Sequence, residues 1–143
     1  MARLWSSGFE LNSVTIEGTT NGTGSSIVTS PVRSGNYAWR SLLAGQQGLS
    51  SYQFKALNTA DGFYFRTYLY IAALPESTNQ IFVAGATGGL RKAAIRLTAT
   101  GTLQLYNQED GVQIGSDSSP LSINTWYRIE LKTSKVGAAG SHI

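Results

Sequence analysis

Few side chains in this sequence could carry out acid–base or nucleophilic chemistry. The chain has eight acidic residues, one histidine and no cysteine. A glycosidase needs two carboxylates that flank the scissile bond, but the acids are dispersed, and the adjacent Glu109 and Asp110 lie in a predicted loop. A serine triad needs a histidine close to its nucleophile, and His142 lies in a tail of small residues. We therefore expect no enzyme activity.

Oxygen-bearing side chains are concentrated in two neighbouring predicted loops. Asn107, Gln108, Glu109 and Asp110 lie in the first loop, and Asp117 lies in the second. Calcium binds carboxylate and amide oxygens of this kind, so Glu109, Asp110 and Asp117 are candidate calcium ligands. Asn and Asp are also frequent in turns, because their side chains bond to nearby backbone groups. Calcium binding and simple turn formation both stay open, and no other cofactor is expected.

Tyrosines provide the best candidate binding surface. Tyr64, Tyr68 and Tyr70 fall on one face of the predicted strand Gly62 to Ile71, with Arg66 between them. Binding sites combine aromatic surfaces with a few polar groups, so this face could stack sugar rings. A sandwich also buries one face of each sheet, and the same tyrosines could pack against a second sheet or a partner.

A second candidate glycan contact is Tyr106, together with Asn107 and Gln108 of the loop that follows. The three tryptophans, Trp5, Trp39 and Trp126, are interpreted as core anchors because large aromatic side chains dominate core packing.

The elements that must position these residues are short strands. Period-two alternation recurs between Gly, Asn, Ser and Asp clusters, which predicts strands separated by turns, and no window shows a helical repeat. The predicted strands are Phe9 to Leu11, Ser26 to Thr29, Asn36 to Leu43, Leu49 to Lys55, Gly62 to Ile71, Gln80 to Ala84, Ala93 to Thr98, Thr102 to Tyr106, Val112 to Gly115 and Trp126 to Lys132. This spacing predicts an antiparallel β-sandwich in a single domain of 143 residues.

The alternation also predicts which side chains face the core. The expected inward residues are Phe63, Phe65, Thr67, Leu69, Ile71, Ile95, Leu97, Leu103, Leu105, Tyr127, Ile129 and Leu131. Thr100 and Gly101 are predicted to form a hairpin turn. Residues 19–26 are predicted to be a loop, and residues 136–143 a flexible tail or the start of a further strand.

Composition restricts the partners. Charged residues make up 13% of the chain, about half the usual share, so neutral polar residues must cover the surface. The net charge is +3, but the basic residues are scattered, which argues against nucleic-acid binding. No apolar run approaches the ~20 residues of a membrane span, and no signal peptide is evident. We therefore expect a virion or extracellular surface protein without membrane insertion.

Several segments together resemble a known family. They are Leu4 to Glu10, Val32 to Ala38, Gly62 to Arg66, Ile95 to Leu103 and Asn124 to Leu131. Their order and spacing resemble the concanavalin A-like, laminin G-like jelly-roll modules of phage virion proteins and secreted bacterial proteins. The resemblance implies a jelly-roll β-sandwich that works by surface contact or by carbohydrate binding.

The sequence departs from this family after the strand that begins at Trp126. Members of the family continue through several more strands, so this chain resembles the front portion of the domain and the sandwich is expected to be incomplete. A second subunit would then supply the missing sheet positions, because open sheet edges favour pairing with another chain. Self-association or contact with other virion proteins is the expected partner relation.

Two functions follow as hypotheses. The first is a non-catalytic structural or interaction protein, such as a phage decoration, fibre or tail component. The alternative is a lectin-like carbohydrate-binding module that binds a surface glycan, with calcium assisting.

Overall fold

The chain is all-β wherever its structure is described. A computed structural model describes residues 8–13, 19–21, 24–42, 52–54, 62–85 and 91–134. These ranges contain ten strands and no helix, and every strand pair is antiparallel. The prediction of an antiparallel all-β fold is confirmed. Trp5, the side chain of Phe63 and the tail at 136–143 lie outside the described parts.

The strands belong to two compact units, Met1–Thr59 and Ala60–Ile143. Among the described residues, no helix is long and apolar enough to cross a membrane.

The first unit contains two pairs of short strands. Strand β1 (Thr19–Asn21) pairs with β4 (Tyr52–Phe54), and β2 (Ser25–Val28) pairs with β3 (Ala38–Ser41). The prediction of a loop over residues 19–26 is therefore wrong at both ends. Threonine favours strands because of its branched β-carbon, and pairing with β4 outweighs the loop-like composition of this segment.

The predicted strand from Phe9 to Leu11 is also wrong, because these residues lie in a turn. Phe9 has a φ of 60°, and the backbone N–H of Asn12 donates to the Phe9 carbonyl at 3.0 Å. The Glu10 carboxylate accepts the backbone N–H groups of Asn36, at 3.0 Å, and Tyr37, at 3.4 Å. A three-residue alternation is a weak strand signal, and a carboxylate that can bond two backbone donors favours the turn instead.

Glycine is required where this carboxylate meets the chain. Gly35 has a φ of 76°, which L side chains rarely adopt, and a β-carbon there would collide with the Glu10 carboxylate. Two segments of the family-like pattern, around Glu10 and around Gly35, therefore form one structural contact.

The second unit consists of two sheets. One has the order β6–β7–β8–β9, and the other pairs β5 with β10. The bounds are β5 Gly62–Tyr70, β6 Asn79–Gly85, β7 Arg91–Leu97, β8 Leu103–Asn107, β9 Val112–Ile114 and β10 Trp126–Ser134. Six predicted strands thus correspond to six observed ones. Strands β5 and β10 pair along nine residues each, from Trp126 opposite Tyr70 to Ser134 opposite Gly62.

The core of this unit lies between the two sheets, as in a β-sandwich. Ile95 of the larger sheet is buried with Ile129 and Leu131 of β10. The partly buried side chains that pack on them are Phe65, Leu69, Ile81, Phe82, Leu103, Leu105 and Tyr127. The rings of Phe65 and Phe82 stack with centroids 3.9 Å apart. The predicted inward faces of β5, β7, β8 and β10 are therefore confirmed for the described side chains, because alternation places one apolar face on each strand.

The predicted hairpin turn between β7 and β8 is confirmed. Gly101 has a φ of 84°, and its N–H donates to the Thr98 carbonyl at 3.0 Å. The hydroxyls of Thr98 and Thr102 lie 2.8 Å apart beneath the turn, so the buried polar groups at this end of the sheet have partners.

Candidate functional site

The outer face of the β5–β10 sheet carries four cross-strand pairs of aromatic and charged residues. They are Tyr64 with Lys132, Arg66 with Glu130, Tyr68 with Arg128, and Tyr70 with Trp126. Directly opposed residues of an antiparallel pair share one face of the sheet, and the buried Ile129 and Leu131 point the other way. We call Tyr64, Arg66, Tyr68, Arg128, Glu130 and Lys132 the tyrosine–cation face.

Most of this face is open to solvent. Tyr64 is 58% exposed and Tyr68 is 38% exposed. The side chains of Arg66, Arg128 and Glu130 are also about half exposed or more. Contiguous exposed apolar surface often marks an interaction site, and the rings of Tyr64 and Tyr68 provide the exposed apolar surface of this face.

Tyr70 belongs to a different, structural group at the end of the same strand. Its ring packs on Trp126 with centroids 5.3 Å apart, and its hydroxyl donates to the Asn124 side-chain oxygen at 3.2 Å. The backbone N–H of Asn124 donates to the Ile71 carbonyl at 2.7 Å. Tyr70 therefore helps to fix the chain that enters β10, and it is set apart from Tyr64 and Tyr68.

Positive charges outnumber negative charges on the tyrosine–cation face. The Glu130 carboxylate accepts a hydrogen bond from Arg66 at 2.6 Å and lies 3.8 Å from the nearest nitrogen of Arg128. The Lys132 ammonium lies 5.5 Å from the centroid of the Tyr64 ring. Three cations and one anion give this face a net charge of +2. Exposed charges of one sign attract oppositely charged partners, within the ~10 Å range that salt allows at 0.1 M.

The second candidate, Tyr106, is occupied by contacts within the protein. Its hydroxyl donates to the Gly111 carbonyl. The Arg96 guanidinium lies 3.2 Å from the centroid of the Tyr106 ring, a cation–π contact. One face of the Tyr106 ring and the Tyr106 hydroxyl therefore both have partners within the protein.

The loop after Tyr106 is also bonded internally. The side-chain oxygen of Asn107 accepts the backbone N–H groups of Glu109, at 2.9 Å, and Asp110, at 3.3 Å. Its amide nitrogen donates to the Asp110 carboxylate at 2.5 Å. The Glu109 carboxylate pairs with Lys92 at 2.6 Å, and the backbone N–H of Gln108 donates to the Lys92 carbonyl. These contacts are those of an Asx turn.

Asp117 joins the loop after β9 to the strands beside it. Its carboxylate accepts hydrogen bonds from Gln113 at 2.8 Å, Thr102 at 2.9 Å and Gln104 at 3.1 Å. The hydrogen bonds from Gln113, Thr102 and Gln104 lower the pKa of Asp117, because they favour the charged form. Across the described ranges, no three acidic or histidine side chains come together as a metal site would require. Glu109, Asp110 and Asp117 instead have separate protein partners.

Comparisons with protein-family models, curated proteins and solved structures find no match.

An open cleft of about 380 Å³ adjoins this face at β10. Its lining is Ile95, Leu103, Gln104, Leu105, Ser116, Ser118, Arg128, Ile129, Glu130 and Leu131. Arg128 and Glu130 therefore belong both to the tyrosine–cation face and to the cleft.

The sequence indicated only half of this site. The tyrosines and Arg66 follow from the alternation within one strand, but Arg128, Glu130 and Lys132 were not among the candidates. Their outward positions can be read from the alternation of β10, whose inward residues are Ile129 and Leu131. The sequence did not indicate that β10 pairs with β5, because more than fifty residues separate the two strands.

Proposed function

We propose that this chain is a non-catalytic interaction protein that works at a virion or other extracellular surface through its tyrosine–cation face. The observation that carries the proposal is the exposure of Tyr64 and Tyr68 among three cations, on the side of the sheet that faces away from the core. Tyr and Arg are the residue types enriched at the energetic centres of protein contacts.

The charge of the face favours a partner other than a second copy of the same face. In a symmetric contact the same patch meets itself, so Arg66, Arg128 and Lys132 would lie opposite the same three cations with one glutamate on each side. Like charges across an interface are unfavourable. An anionic partner, by contrast, meets a complementary surface. Self-association through other surfaces stays a separate prediction.

Five of the six acidic residues in the described ranges have protein partners, which favours a non-catalytic role. Glu10 bonds to backbone N–H groups, Glu109 and Glu130 are in ion pairs, and Asp117 accepts three side-chain donors. A carboxylate that acts as a general acid or base must reach a substrate proton, whereas these groups are directed at protein partners.

Retention on coated beads tests this proposal. The beads carry alginate, poly-glutamate or single-stranded DNA, with uncoated agarose as the blank. We expect the chain to be retained on at least one polyanion and to be released by salt. The variant Arg66→Gln, Arg128→Gln, Lys132→Gln should lose this retention.

A matched control separates the face from net charge. The variant Arg33→Gln, Arg40→Gln, Arg91→Gln removes the same number of positive charges from exposed positions elsewhere and should be retained as the native chain is. If both triple variants lose retention equally, or if the native chain is retained on no polyanion, the proposal is wrong.

Carbohydrate binding by a lectin-like module is the second candidate function. It is favoured by one observation, that two exposed tyrosines stand four residues apart on a flat strand. The jelly-roll, concanavalin A-like relationship belongs to this proposal. A glycan array probed with and without calcium tests it, and binding that disappears with the chelator would revive Glu109, Asp110 and Asp117 as ligands.

A further inference from the structure

We infer that the ligand of the tyrosine–cation face is an acidic polysaccharide, bound as an extended chain along β5. This inference rests on the proposed use of the face as the contact surface. It adds the chemical class of the partner, and it is argued from three features of the face.

The first feature is the spacing of the exposed rings. Tyr64 and Tyr68 are four residues apart on one strand, which at the usual strand rise places them about 13 Å apart. Both rings lie on the same face, and Arg66 lies between them. A small ligand cannot contact both rings, but an extended polymer along the strand can. Such a polymer would offer ring faces to the tyrosines and acidic groups to the cations between them.

The second feature is the arrangement of the cations across the sheet. Lys132 lies beside Tyr64 and Arg128 beside Tyr68, so each exposed ring has a cation on the neighbouring strand. A polymer that carries a ring and an acid group in each repeating unit matches this pairing. Uronic-acid polysaccharides have this chemistry, since the carboxylate is attached to the sugar ring itself.

The third feature is the carboxylate of Glu130, which lies between the two arginines. A carboxylate accepts hydrogen bonds and has none to donate. The Glu130 carboxylate repels uronate carboxylates and nucleic-acid phosphates alike, but the hydroxyls of a polysaccharide can donate hydrogen bonds to it, which phosphates cannot do. Single-stranded nucleic acids favour a strongly positive groove with stacked bases, and a net charge of +2 with a central acid is a poor match.

Binding measurements with four probes test the inference. Alginate oligosaccharides supply the uronate chain, dextran oligosaccharides a neutral sugar chain, and poly-dT and poly-glutamate two other anionic chains. Isothermal titration calorimetry should show that the native chain binds alginate more tightly than the other three. The variant Tyr64→Thr, Tyr68→Thr keeps good strand formers at both positions and should weaken alginate binding by about tenfold or more.

The variant Glu130→Gln tests the role of the central carboxylate. It removes the negative charge but keeps an oxygen that accepts hydrogen bonds. We expect it to raise binding of poly-dT relative to alginate. Thermal unfolding of each variant checks that the fold is kept, and Tyr106→Thr serves as the control for the loss of a tyrosine ring outside the face.

Each other outcome has a distinct meaning. If poly-dT or poly-glutamate binds more tightly than alginate and the face variants abolish that binding, the polysaccharide inference is overturned and the proposed function stands. If dextran binds as tightly as alginate, the acidic class is overturned. If the native chain binds none of the four probes, both the inference and the proposed function fail.

Discussion

Two regions of the second unit present tyrosine beside charged side chains: the tyrosine–cation face on β5 and β10, and the hairpin between β8 and β9, residues 106–111. In the hairpin, Tyr106 and Asn107 are bonded to groups within the same loop or on β7. On the face, Tyr64 is exposed by 58%, and its nearest charged neighbour comes from a strand far along the chain.

The difference shows that residue type alone does not separate an exposed face from a stabilised turn. Asn107 precedes Glu109 and Asp110 by the two and three residues that an Asx turn needs, so the loop can satisfy itself locally. A flat strand offers its outward side chains no such local backbone partners. The polar groups of the hairpin are therefore bonded locally, whereas Arg66 and Tyr64 of β5 meet their partners across the strand pair.

The largest effect we expect on stability comes from breaking the hairpin. Asn107→Ala removes the acceptor of two backbone N–H groups and should lower the free energy of unfolding by about 1–2 kcal/mol. Urea unfolding followed by circular dichroism measures this change. Ser77→Ala, a similar truncation of an exposed side chain in another loop, should change it by less than about 0.5 kcal/mol. Equal effects of the two variants would contradict the account of the hairpin.

A pair of hydroxyl deletions compares the two regions directly. Tyr106→Phe loses the hydrogen bond to the Gly111 carbonyl and should cost about 1 kcal/mol of unfolding free energy. Tyr64→Phe removes the same atom from the exposed face and should cost close to nothing. The comparison breaks down if the two substitutions destabilise the protein equally in denaturant titrations.

A smaller effect is expected from the ion pair that links the hairpin to β7. Lys92→Gln removes the partner of Glu109, whose side chain is 51% exposed. Partly exposed pairs contribute about 0–1 kcal/mol, and high salt should reduce the difference between variant and native chain. Lys132→Gln on the face should leave stability unchanged at either salt concentration. A larger loss for Lys132→Gln than for Lys92→Gln would mean that the face is the more structural of the two.

The stabilising effect of Asp117, beside the hairpin, should depend on pH and disappear in acid. The pKa of Asp117 is lowered in the folded protein from its ordinary value of 3.8. The charged carboxylate therefore stabilises the fold at pH values above 3.8, and this stabilisation is lost as the pH falls through the folded pKa. Asp117→Asn should therefore lose stability at neutral pH and approach the native chain as the pH falls below that range. Unfolding curves measured at neutral pH and well below pH 3.8 test the direction of this change. A stability difference between Asp117→Asn and the native chain that widens in acid would contradict it.

Long alternating patterns in the sequence predict most of the strands. Gly62 to Ile71 and Trp126 to Lys132 are predicted within a residue or two of β5 and β10, because a filled core requires every second residue to be apolar. The exceptions are the predicted strand at residues 9–11 and the predicted loop at residues 19–26. Residues 9–11 form a turn that the Glu10 carboxylate fixes through Asn36 and Tyr37, and a contact so distant in sequence has no local signal.

The sequence predicts the part of the candidate site that lies on β5 alone. Tyr64 and Tyr68 share a face by period two, whichever strand lies next to β5. Their neighbours Arg128 and Lys132 depend on the pairing and register of β5 with β10, which alternation alone leaves open. For the loop that begins at Asn107, the sequence allowed either calcium binding or turn formation. Only the side-chain geometry shows that the Asn107 oxygen accepts hydrogen bonds within the turn.

The tyrosine–cation face can be tested directly by recording backbone amide shifts of the ¹⁵N-labelled chain during titration with alginate oligosaccharides. The account predicts that the shifts are concentrated in β5 and β10, at residues 64–68 and 128–132, and are lost in Tyr64→Thr, Tyr68→Thr. Shifts confined to residues 106–111, or no shifts at saturating ligand, would contradict it.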